Sequence, residues 1–325
     1  MKNKVAVVVA GYGRVGKEFC RRIAHFHGLS LKAVFRSDQQ VVNLEGITAN
    51  ELEYFKPRDS GVDDILRKIN EPTIFVDATA EQSMLNEWKL ALEFGANVVT
   101  ANKLPLCAPF NECQAFFESH DRVGFEATVG AGLPVIQTLR NALFSKDFDM
   151  RFEGCLSGTL AYIFEAIKEG LDFASAIQNA YSLGYTEPDP REDLSAKDLA
   201  RKALIMNRVI GGRLEMENLM VQSLVPDEMQ NLTKDEFLAS MDQLKLPLSS
   251  LQMNAPRFIA LGDINSARVE LVDQEFYQGG SPTDNDFCLR SNAYPDGIRI
   301  FGPGAGPAVT AMALLSDLEI QIKTL

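Results

Sequence analysis

An aspartate and a lysine stand one helical turn apart in an amphipathic stretch, residues 194–209. Asp198 and Lys202 are spaced i, i+4, so their side chains can reach the same point on one helix face. A lysine held near a carboxylate and partly desolvated can give a proton to a carbonyl or alkoxide oxygen. The same spacing also occurs in surface ion pairs worth only about 0.3–0.5 kcal/mol. These two residues alone leave both interpretations open.

Acidic residues are crowded directly before this helix, in the segment 184–193. Its four acids are Glu187, Asp189, Glu192 and Asp193. Two prolines hold the backbone extended and block the continuation of a helix. Carboxylates so close together raise one another's energy unless cations or ligand amines balance them. The histidines, His25, His27 and His120, lie in no motif. We therefore expect acid–base chemistry from lysine and carboxylates.

A glycine motif follows the first apolar run, Val5 to Ala10, and precedes a helical pattern at 17–24. In this GxGxxG, Gly11 allows a tight turn, Gly13 lets backbone approach a pyrophosphate, and Gly16 lets helix pack on strand. The helix N-terminus offers free N–H groups to phosphate. The predicted cofactor-binding residues here are Gly11, Gly13, Arg14, Val15 and Gly16. A glycine-rich turn without a ligand is the alternative.

The residue that selects between NAD and NADP is expected about 20 positions later, at the tip of the next strand, 31–35. That position is Arg36, and a guanidinium suits the 2′-phosphate of NADP. Asp38 lies close enough to bind a ribose 2′-OH instead, which leaves NAD possible. A solvated arginine at a strand end is the plainer interpretation.

Further along the chain, apolar strands alternate with helices. Strands at 73–77 and 97–100 flank a helix that ends at Gly95, which predicts βαβ units and an α/β, Rossmann-type, doubly wound parallel sheet. The loops 78–80 and 100–103 then lie at the carboxyl ends of strands, where ligands bind. Beyond Glu126 the pattern changes. A strand at 148–154 and helices at 160–168, 173–183 and 194–209 predict a second, α+β domain.

Composition limits the classes of function. A chain of 325 residues has room for about two domains. A net charge of −12 argues against nucleic-acid binding. The apolar runs are too short for a membrane span, and the N-terminal run reaches glycine too soon for a signal peptide. We therefore expect a cytoplasmic protein. Five scattered cysteines without a CxxC pair predict free thiols rather than a zinc site.

Several motifs in order along the chain resemble the homoserine dehydrogenase family, over nearly the whole sequence. The most specific is Gly184-Tyr-Thr-Glu-Pro-Asp-Pro-Arg191, followed by an acidic pair and then by Asp198-Leu-Ala-Arg-Lys202. The others are Thr100-Ala-Asn-Lys103, Glu126-Ala-Thr-Val-Gly-Ala-Gly-Leu-Pro134, Leu156-Ser-Gly-Thr159 and Gly302-Pro-Gly-Ala-Gly306. The resemblance implies hydride transfer with NADP, or with NAD, between L-aspartate 4-semialdehyde and L-homoserine, in threonine and methionine biosynthesis.

The resemblance also implies roles for particular residues. Asp198 and Lys202 match the catalytic acid–base and orienting pair, and Lys103 a lysine at the junction of cofactor and substrate. Glu187 matches the residue that holds the substrate amino group, with Asp193 beside it at the substrate. Thr79 and Gly302 are expected at the cofactor. Similar proteins bind sodium through backbone carbonyls, which would map to Glu126, Val129, Ala131 and Leu133. A plain structural turn is the alternative for that loop.

The expected organisation is a dinucleotide-binding domain, 1–130 plus 302–325, and a substrate-binding, catalytic and dimerisation domain, 131–301. We expect a homodimer and a short form without a C-terminal regulatory domain. Glu192-Asp193 stands where the family often has two aspartates. Two alternatives stay open: another amino-acid-linked Rossmann oxidoreductase, such as an aspartate dehydrogenase, and a non-catalytic NADP-sensing protein.

Overall fold

The computed structural model describes residues 4–246, 253–273, 281 and 283–325. The strands in this part of the chain are β1 (Val5–Ala10), β2 (Leu29–Phe35), β3 (Gln39–Val42), β4 (Lys56–Pro57), β5 (Thr73–Asp77), β6 (Asn97–Thr100), β7 (Val123–Gly124), β8 (Arg151–Cys155), β9 (Met220–Val221), β10 (Pro256–Gly262), β11 (Ala267–Asp273), β12 (Asp284–Arg290) and β13 (Ile298–Pro303). The α-helices are α1 (Arg14–Ile23), α2 (Val62–Leu66), α3 (Met84–Glu93), α4 (Phe110–Glu118), α5 (Val135–Phe144), α6 (Gly158–Lys168), α7 (Phe173–Ser182), α8 (Arg191–Leu194), α9 (Lys197–Val209), α10 (Lys234–Ala239) and α11 (Pro307–Gln321).

The chain forms two compact units. The first contains Met1–Gly132 and Ala305–Leu325, and the second contains Leu133–Gly304. The junctions thus follow Gly132 and Gly304, where the sequence suggested 130 and 301. The second junction lies later because β13 carries the chain on to Pro303 within the second sheet.

The first unit is built on a seven-stranded sheet with the order β4-β3-β2-β1-β5-β6-β7. Strands β2, β1, β5, β6 and β7 are parallel, with α1, α3 and α4 in the connections that follow β1, β5 and β6. All six residues of β1 are buried, as expected for a central parallel strand covered on both faces. β3 and β4 add an antiparallel edge. α11 packs on α1 and completes this unit.

The second unit is built on a six-stranded sheet with the order β13-β12-β8-β10-β11-β9. Its pairs are antiparallel except for β9 with β11. Helices α5, α6 and α9 contact strands of this sheet. Phe164 of α6 stacks on Phe258 of β10, with ring centroids 6.1 Å apart. Because side chains alternate along a strand, Phe258 identifies the helix-covered face of β10.

Two predicted elements begin later than the sequence suggested. The helix predicted over 194–209 is interrupted: α8 ends at Leu194 and α9 begins at Lys197. Ala196 between them has a left-handed backbone, φ +56°, which breaks the helix because successive residues no longer share one axis. The strand predicted from Phe148 starts at Arg151, since Asp149 is also left-handed, φ +53°. Among the described residues, no helix is long and apolar enough to cross a membrane.

Candidate active site

The glycine motif forms the turn between β1 and α1 in the first unit. Gly11 has φ +93°, and a Cβ there would lie 2.6 Å from the carbonyl oxygen of Ala78. A Cβ on Gly16 would lie 2.0 Å from the carbonyl oxygen of Gly11. Gly13 has an ordinary extended backbone, and its Cβ would meet no atom of the described residues within 4 Å. Close packing therefore requires glycine at Gly11 and Gly16. It does not explain why Gly13 is a glycine.

Gly13 is the N-cap of α1, and the first two helical residues are Arg14 and Val15. Arg14 is exposed and Val15 half-buried. N–H groups in the first turn of a helix have no carbonyl partner within the helix. Together with the positive end of the helix dipole they attract anions. The turn can thus receive a phosphate group at Gly13.

Arg36 lies directly after β2, beside the glycine motif: the amide of Gly11 donates to the carbonyl of Phe35, at 2.9 Å. The Arg36 guanidinium carbon is 3.8 Å from the ring centroid of Phe55 and 5.2 Å from that of Tyr12. These stacking contacts are cation–π interactions that restrict the side chain. Asp38, the competing residue, is exposed. Arg36 is therefore the more ordered of the two.

A fully buried aspartate organises the loops after β5 and β6. Oδ2 of Asp77 accepts hydrogen bonds from Trp88 Nε1 and Asn102 Nδ2, each at 3.0 Å. Its Oδ1 accepts from the backbone amide of Thr79 at 2.9 Å. Burial raises the pKa of Asp77, and these hydrogen bonds oppose the rise. The carboxylate thus connects both loops to α3.

This network also holds the backbone next to Lys103. Asn102 Nδ2 reaches the carbonyl of Glu81 at 2.9 Å, and Asn102 Oδ1 accepts from the amide of Leu104 at 3.1 Å. Asn102 is buried, whereas Lys103 and Thr79 are half-buried. The two loop residues that the sequence assigned to the cofactor are therefore attached to one fixed scaffold.

In the second unit, the predicted acid–base pair is present, with its lysine buried and its aspartate half-exposed. Lys202 Nζ is 2.8 Å from Asp198 Oδ2 and donates to the carbonyl of Leu156 at 2.6 Å. The lysine side chain is 11% exposed and the aspartate side chain 48% exposed. A surface ion pair would leave both groups in water. Burial of the ammonium instead strengthens its interaction with any oxygen brought beside it.

Asp193 connects the acidic segment to the start of α6. Its Oδ2 accepts from the backbone amide of Glu187 at 2.8 Å, and its Oδ1 lies 2.9 Å from the hydroxyl of Thr159. Burial raises the pKa of Asp193, and the negative charges of Glu187 and Asp198 raise it further. Glu187 itself is exposed. Asp193 thus lies within electrostatic reach of Glu187 and Asp198, and Asp198 in turn pairs with Lys202.

An arginine within this segment gives it a second anchor. Arg191 pairs with Asp189 at 2.6 Å and donates to the carbonyl of Leu232 at 2.5 Å. The Arg191 guanidinium holds the pKa of Asp189 below its usual value. This arginine also lies over the ring of Phe237, 5.1 Å from its centroid. The segment is therefore anchored both at the amide of Glu187 and at Asp189 and Arg191.

The residues expected to bind a cation are divided between the two compact units. Glu126, Val129 and Ala131 are in the first unit and Leu133 is in the second. Ala131 has a left-handed backbone, φ +54°, and the Leu133 carbonyl accepts from the amide of Val135 at 2.8 Å. Gly302, expected at the cofactor, lies in β13 and pairs with Asn285.

Comparison with known proteins identifies the family. Residues 134–318, more than half of the chain, match the family model described as homoserine dehydrogenase. The chain belongs to the homoserine dehydrogenase family. Residues 5–102 also match the model described as the N-terminus of dihydrodipicolinate reductase. Homoserine dehydrogenases are NAD(P)-dependent oxidoreductases, the enzyme class that the sequence motifs predicted.

Individual relatives agree. The chain is 34% identical to the homoserine dehydrogenase of Saccharomyces cerevisiae, over 79% of this chain and 78% of that one. It is 31% identical to a bifunctional aspartokinase/homoserine dehydrogenase of Zea mays, over 98% of this chain but only 38% of the relative. The chain thus spans well under half of the bifunctional relatives that it matches.

Solved structures support the fold. A Candida auris protein of unknown function superposes with a TM-score of 0.87 at 28% identity, covering 97% of this chain and 98% of that one. A hyperthermophilic archaeal homoserine dehydrogenase in complex with NADPH superposes with a TM-score of 0.73 at 21% identity, covering 97% and 96%. The homoserine dehydrogenase family and the Rossmann-type α/β fold predicted from the sequence are therefore confirmed.

The structure brings forward three residues to which the sequence assigned no role. Asp77 and Asn102 connect the loops beside the cofactor motifs, and Thr159 contacts Asp193. Both Asn102 and Thr159 lie in motifs quoted for the resemblance, so a signal was present. No local pattern shows that Asp77, 25 residues before Asn102, is its partner.

Proposed function

We propose that this chain is a homoserine dehydrogenase that interconverts L-aspartate 4-semialdehyde and L-homoserine with NADP(H). The observation that carries the proposal is the buried Lys202 ammonium, paired with Asp198, whose charge reaches Asp193, the residue that holds the amide of Glu187. An amino-acid semialdehyde has a carbonyl for the lysine and an ammonium group for the carboxylates. A protein that only senses NADP has no use for this combination.

The chain's residues would divide the work as follows. Bound nicotinamide would supply the hydride in the reducing direction. Lys202 Nζ donates a proton to the carbonyl oxygen as that oxygen becomes an alkoxide, which yields the hydroxyl of homoserine. In the reverse direction the neutral amine accepts this proton. Asp198, 2.8 Å away, orients the lysine.

Glu187 would bind the substrate ammonium group. Its backbone amide is held by Asp193, which fixes the start of its exposed side chain. Asp193 would itself contribute negative charge at the substrate. Lys103, which follows the anchored Asn102, would act where cofactor and substrate meet.

The cofactor would occupy the first unit through the glycine motif and Arg36. The pyrophosphate would approach Gly13 and the first residues of α1, since packing does not explain that glycine. The archaeal relative was solved with NADPH, and the stacked Arg36 suits a 2′-phosphate. The residues proposed for this role are Gly11, Gly13, Arg14, Val15, Gly16, Arg36, Thr79 and Lys103, with Gly302 from the resemblance alone.

A monovalent cation, a homodimer and a cytoplasmic location complete the proposal. Carbonyl oxygens are hard ligands that suit sodium, and the left-handed Ala131 is the kind of strain found at functional loops. For the dimer, the face of β10 opposite Phe258 carries the apolar side chains of Ile259 and Leu261, which cluster with Cys155 and Val272. A twofold interface would use this face on both copies.

The decisive experiment is an ultraviolet assay of nicotinamide oxidation with several carbonyl compounds. We expect rapid turnover of L-aspartate 4-semialdehyde with NADPH and little with simple aldehydes. Oxidation with oxaloacetate and ammonia would instead favour an aspartate dehydrogenase. No turnover of any carbonyl compound, together with tight NADPH binding, would favour an NADP-sensing protein.

A further inference from the structure

A buried amide in the second unit has no hydrogen-bond partner among the residues that the structure describes. Asn285, in β12, is 1% exposed. Neither its Oδ1 nor its Nδ2 forms a hydrogen bond within the part of the chain that the structure describes. Burying an amide without partners is unfavourable, and native proteins rarely leave both atoms unpaired. Such a group suggests that the partner is a ligand.

The register of the second sheet places Asn285 beside the start of α6. In the β8–β12 ladder, Cys155 is opposite Asp286 and Gly154 is opposite Phe287. One further step along the same register sets Leu156 opposite Asn285. Because residues alternate between the two faces of a sheet, Asn285 shares the side of Phe287 rather than that of Asp286.

Contacts beyond the ladder show that this register continues. A Cβ on Gly158 would lie 3.0 Å from the carbonyl oxygen of Thr283, and this pair belongs to the same register. The carbonyl of Leu156, between them, accepts the hydrogen bond from Lys202 Nζ. The unpaired amide of Asn285 therefore lies at the same end of the sheet as the ammonium of Lys202.

A glycine holds the amide in this position. A Cβ on Gly304 would lie 1.9 Å from Asn285 Cγ and 2.0 Å from its Nδ2. The amide thus packs directly against the Cα of Gly304, and no other residue type fits there without displacing it. One side of the amide is closed by backbone, yet that backbone forms no hydrogen bond with it.

We infer that the Asn285 amide binds the α-amino-acid head group of the substrate. Its Nδ2 donates to the α-carboxylate, and its Oδ1 accepts from the α-ammonium. The charges nearby favour this assignment. Glu187, Asp193 and Asp198 repel a carboxylate, and Lys202 is engaged with the reacting oxygen, so a neutral donor is needed. The inference rests on the proposed function, since it assumes an amino-acid substrate.

Two variants at this position test the inference in the wild-type background of the full chain. We expect Asn285→Ala to raise the KM for L-homoserine and for L-aspartate 4-semialdehyde roughly 10- to 100-fold, because a hydrogen bond to a charged group is lost. Asn285→Asp should raise KM further, since it replaces the donor with a negative charge facing the carboxylate. The dissociation constant for NADPH should stay within about twofold of the wild-type value, because Asn285 is not expected to contact the cofactor.

Asn207 provides the matched control. It is equally buried and in the same unit, but its Nδ2 donates to the carbonyls of Asp263 and Ile264. Asn207→Ala should therefore lower Tm and leave KM unchanged. Asn285→Ala should leave Tm unchanged or raise it, because it removes an unpaired buried group.

The outcomes separate this inference from the proposed function. If both Asn285 variants keep the kcat and KM of the wild type, only the role of Asn285 is overturned. The same holds if Tm falls and KM does not change. A wild-type chain that turns over no amino-acid semialdehyde would overturn both. A KM that rises in the order Ala then Asp, at unchanged NADPH affinity, supports the inference.

Discussion

Each unit organises its loops around an aspartate, the fully buried Asp77 in the first and the half-buried Asp193 in the second. Burial raises the pKa of both. Asp77 is surrounded by neutral donors: an indole, a carboxamide and a backbone amide. Asp193 also accepts hydrogen bonds from neutral donors, but the negative charges of Glu187 and Asp198 raise its pKa further.

This difference shows which region is complete without a ligand. Neutral donors satisfy the carboxylate of Asp77, so the loops beside the cofactor motifs are held by the chain itself. In the second region, the negative charges of Glu187 and Asp198 repel that of Asp193, and this repulsion persists although Asp198 pairs with Lys202. A substrate ammonium group would relieve it further. The first region is therefore preorganised, and the second is adapted to bind a cation.

The largest expected effect is on the second region. Lys202→Ala should lower kcat roughly 10²- to 10⁴-fold, the usual contribution of a general acid or base. NADPH affinity should stay within a few-fold, because the lysine acts on the reacting oxygen. Steady-state kinetics and cofactor titration measure the two quantities. Lys197→Ala, on the exposed side of the same helix, is the control. Retention of more than about half of kcat would mean that Asp198 and Lys202 form only an ion pair.

A smaller effect is expected at the cofactor. Arg36→Ala should weaken NADPH binding roughly 10- to 150-fold, the equivalent of about 1.5–3 kcal/mol, and leave NADH almost unchanged. Titration of both cofactors measures this. Arg67, which stacks on Phe94 in the same unit, is a matched control whose loss should affect neither cofactor. If the variant binds both cofactors equally weakly, or binds both as wild type does, Arg36 does not contact the 2′-phosphate. Lys56 and Arg58 are then the next candidates for that contact.

The Asp77 network can be tested through stability alone. Asn102→Ala removes a donor to Asp77 and an acceptor for the amide of Leu104. We expect the free energy of unfolding to fall by about 1–3 kcal/mol, measured by urea denaturation of the apoprotein. The exposed Asn86 on α3 is the control. If stability is unchanged in the absence of cofactor, the first region is not preorganised by this network.

The smallest effect is expected at the anchor of the acidic segment. Asp189→Asn should lower the free energy of unfolding by about 1 kcal/mol at neutral pH, since it weakens a partly buried, charge-assisted pair. Because Arg191 lowers the pKa of Asp189 in the folded state, this stabilisation is present above the unfolded pKa. It is lost as pH falls through the lower folded pKa. Urea denaturation at several pH values should show the variant and wild type converging below about pH 4. A constant difference would point to packing instead.

The sequence was informative where function depends on neighbours along the chain. The GxGxxG turn needs strand, glycines and helix in direct succession, and all are present from β1 to α1. Asp198 and Lys202 meet because they are one turn apart on α9. The position of Arg36, directly after β2, predicts that it contacts the adenosine ribose of the cofactor. In each case the spacing fixes the geometry once the local element forms.

The sequence was less informative at element boundaries. Ala196 and Asp149 adopt left-handed backbone conformations, although neither is a glycine. Their propensities do not predict this, since local energies of a few tenths of a kcal/mol are overridden by packing. The helix that carries Asp198 and Lys202 therefore begins later than its amphipathic pattern suggested.

What the sequence by itself determined is the family, the Rossmann-type fold and the residues whose partners are close in the chain. Only the tertiary structure decided which distant groups meet. Asp77 reaches Asn102 and Trp88 because parallel strands bring their carboxyl ends together. Asp193 reaches Thr159, and Asn285 lies opposite Leu156, because antiparallel strands and packed helices join segments far apart in sequence. Such contacts depend on how the whole chain buries its apolar surface, and no local spacing encodes them.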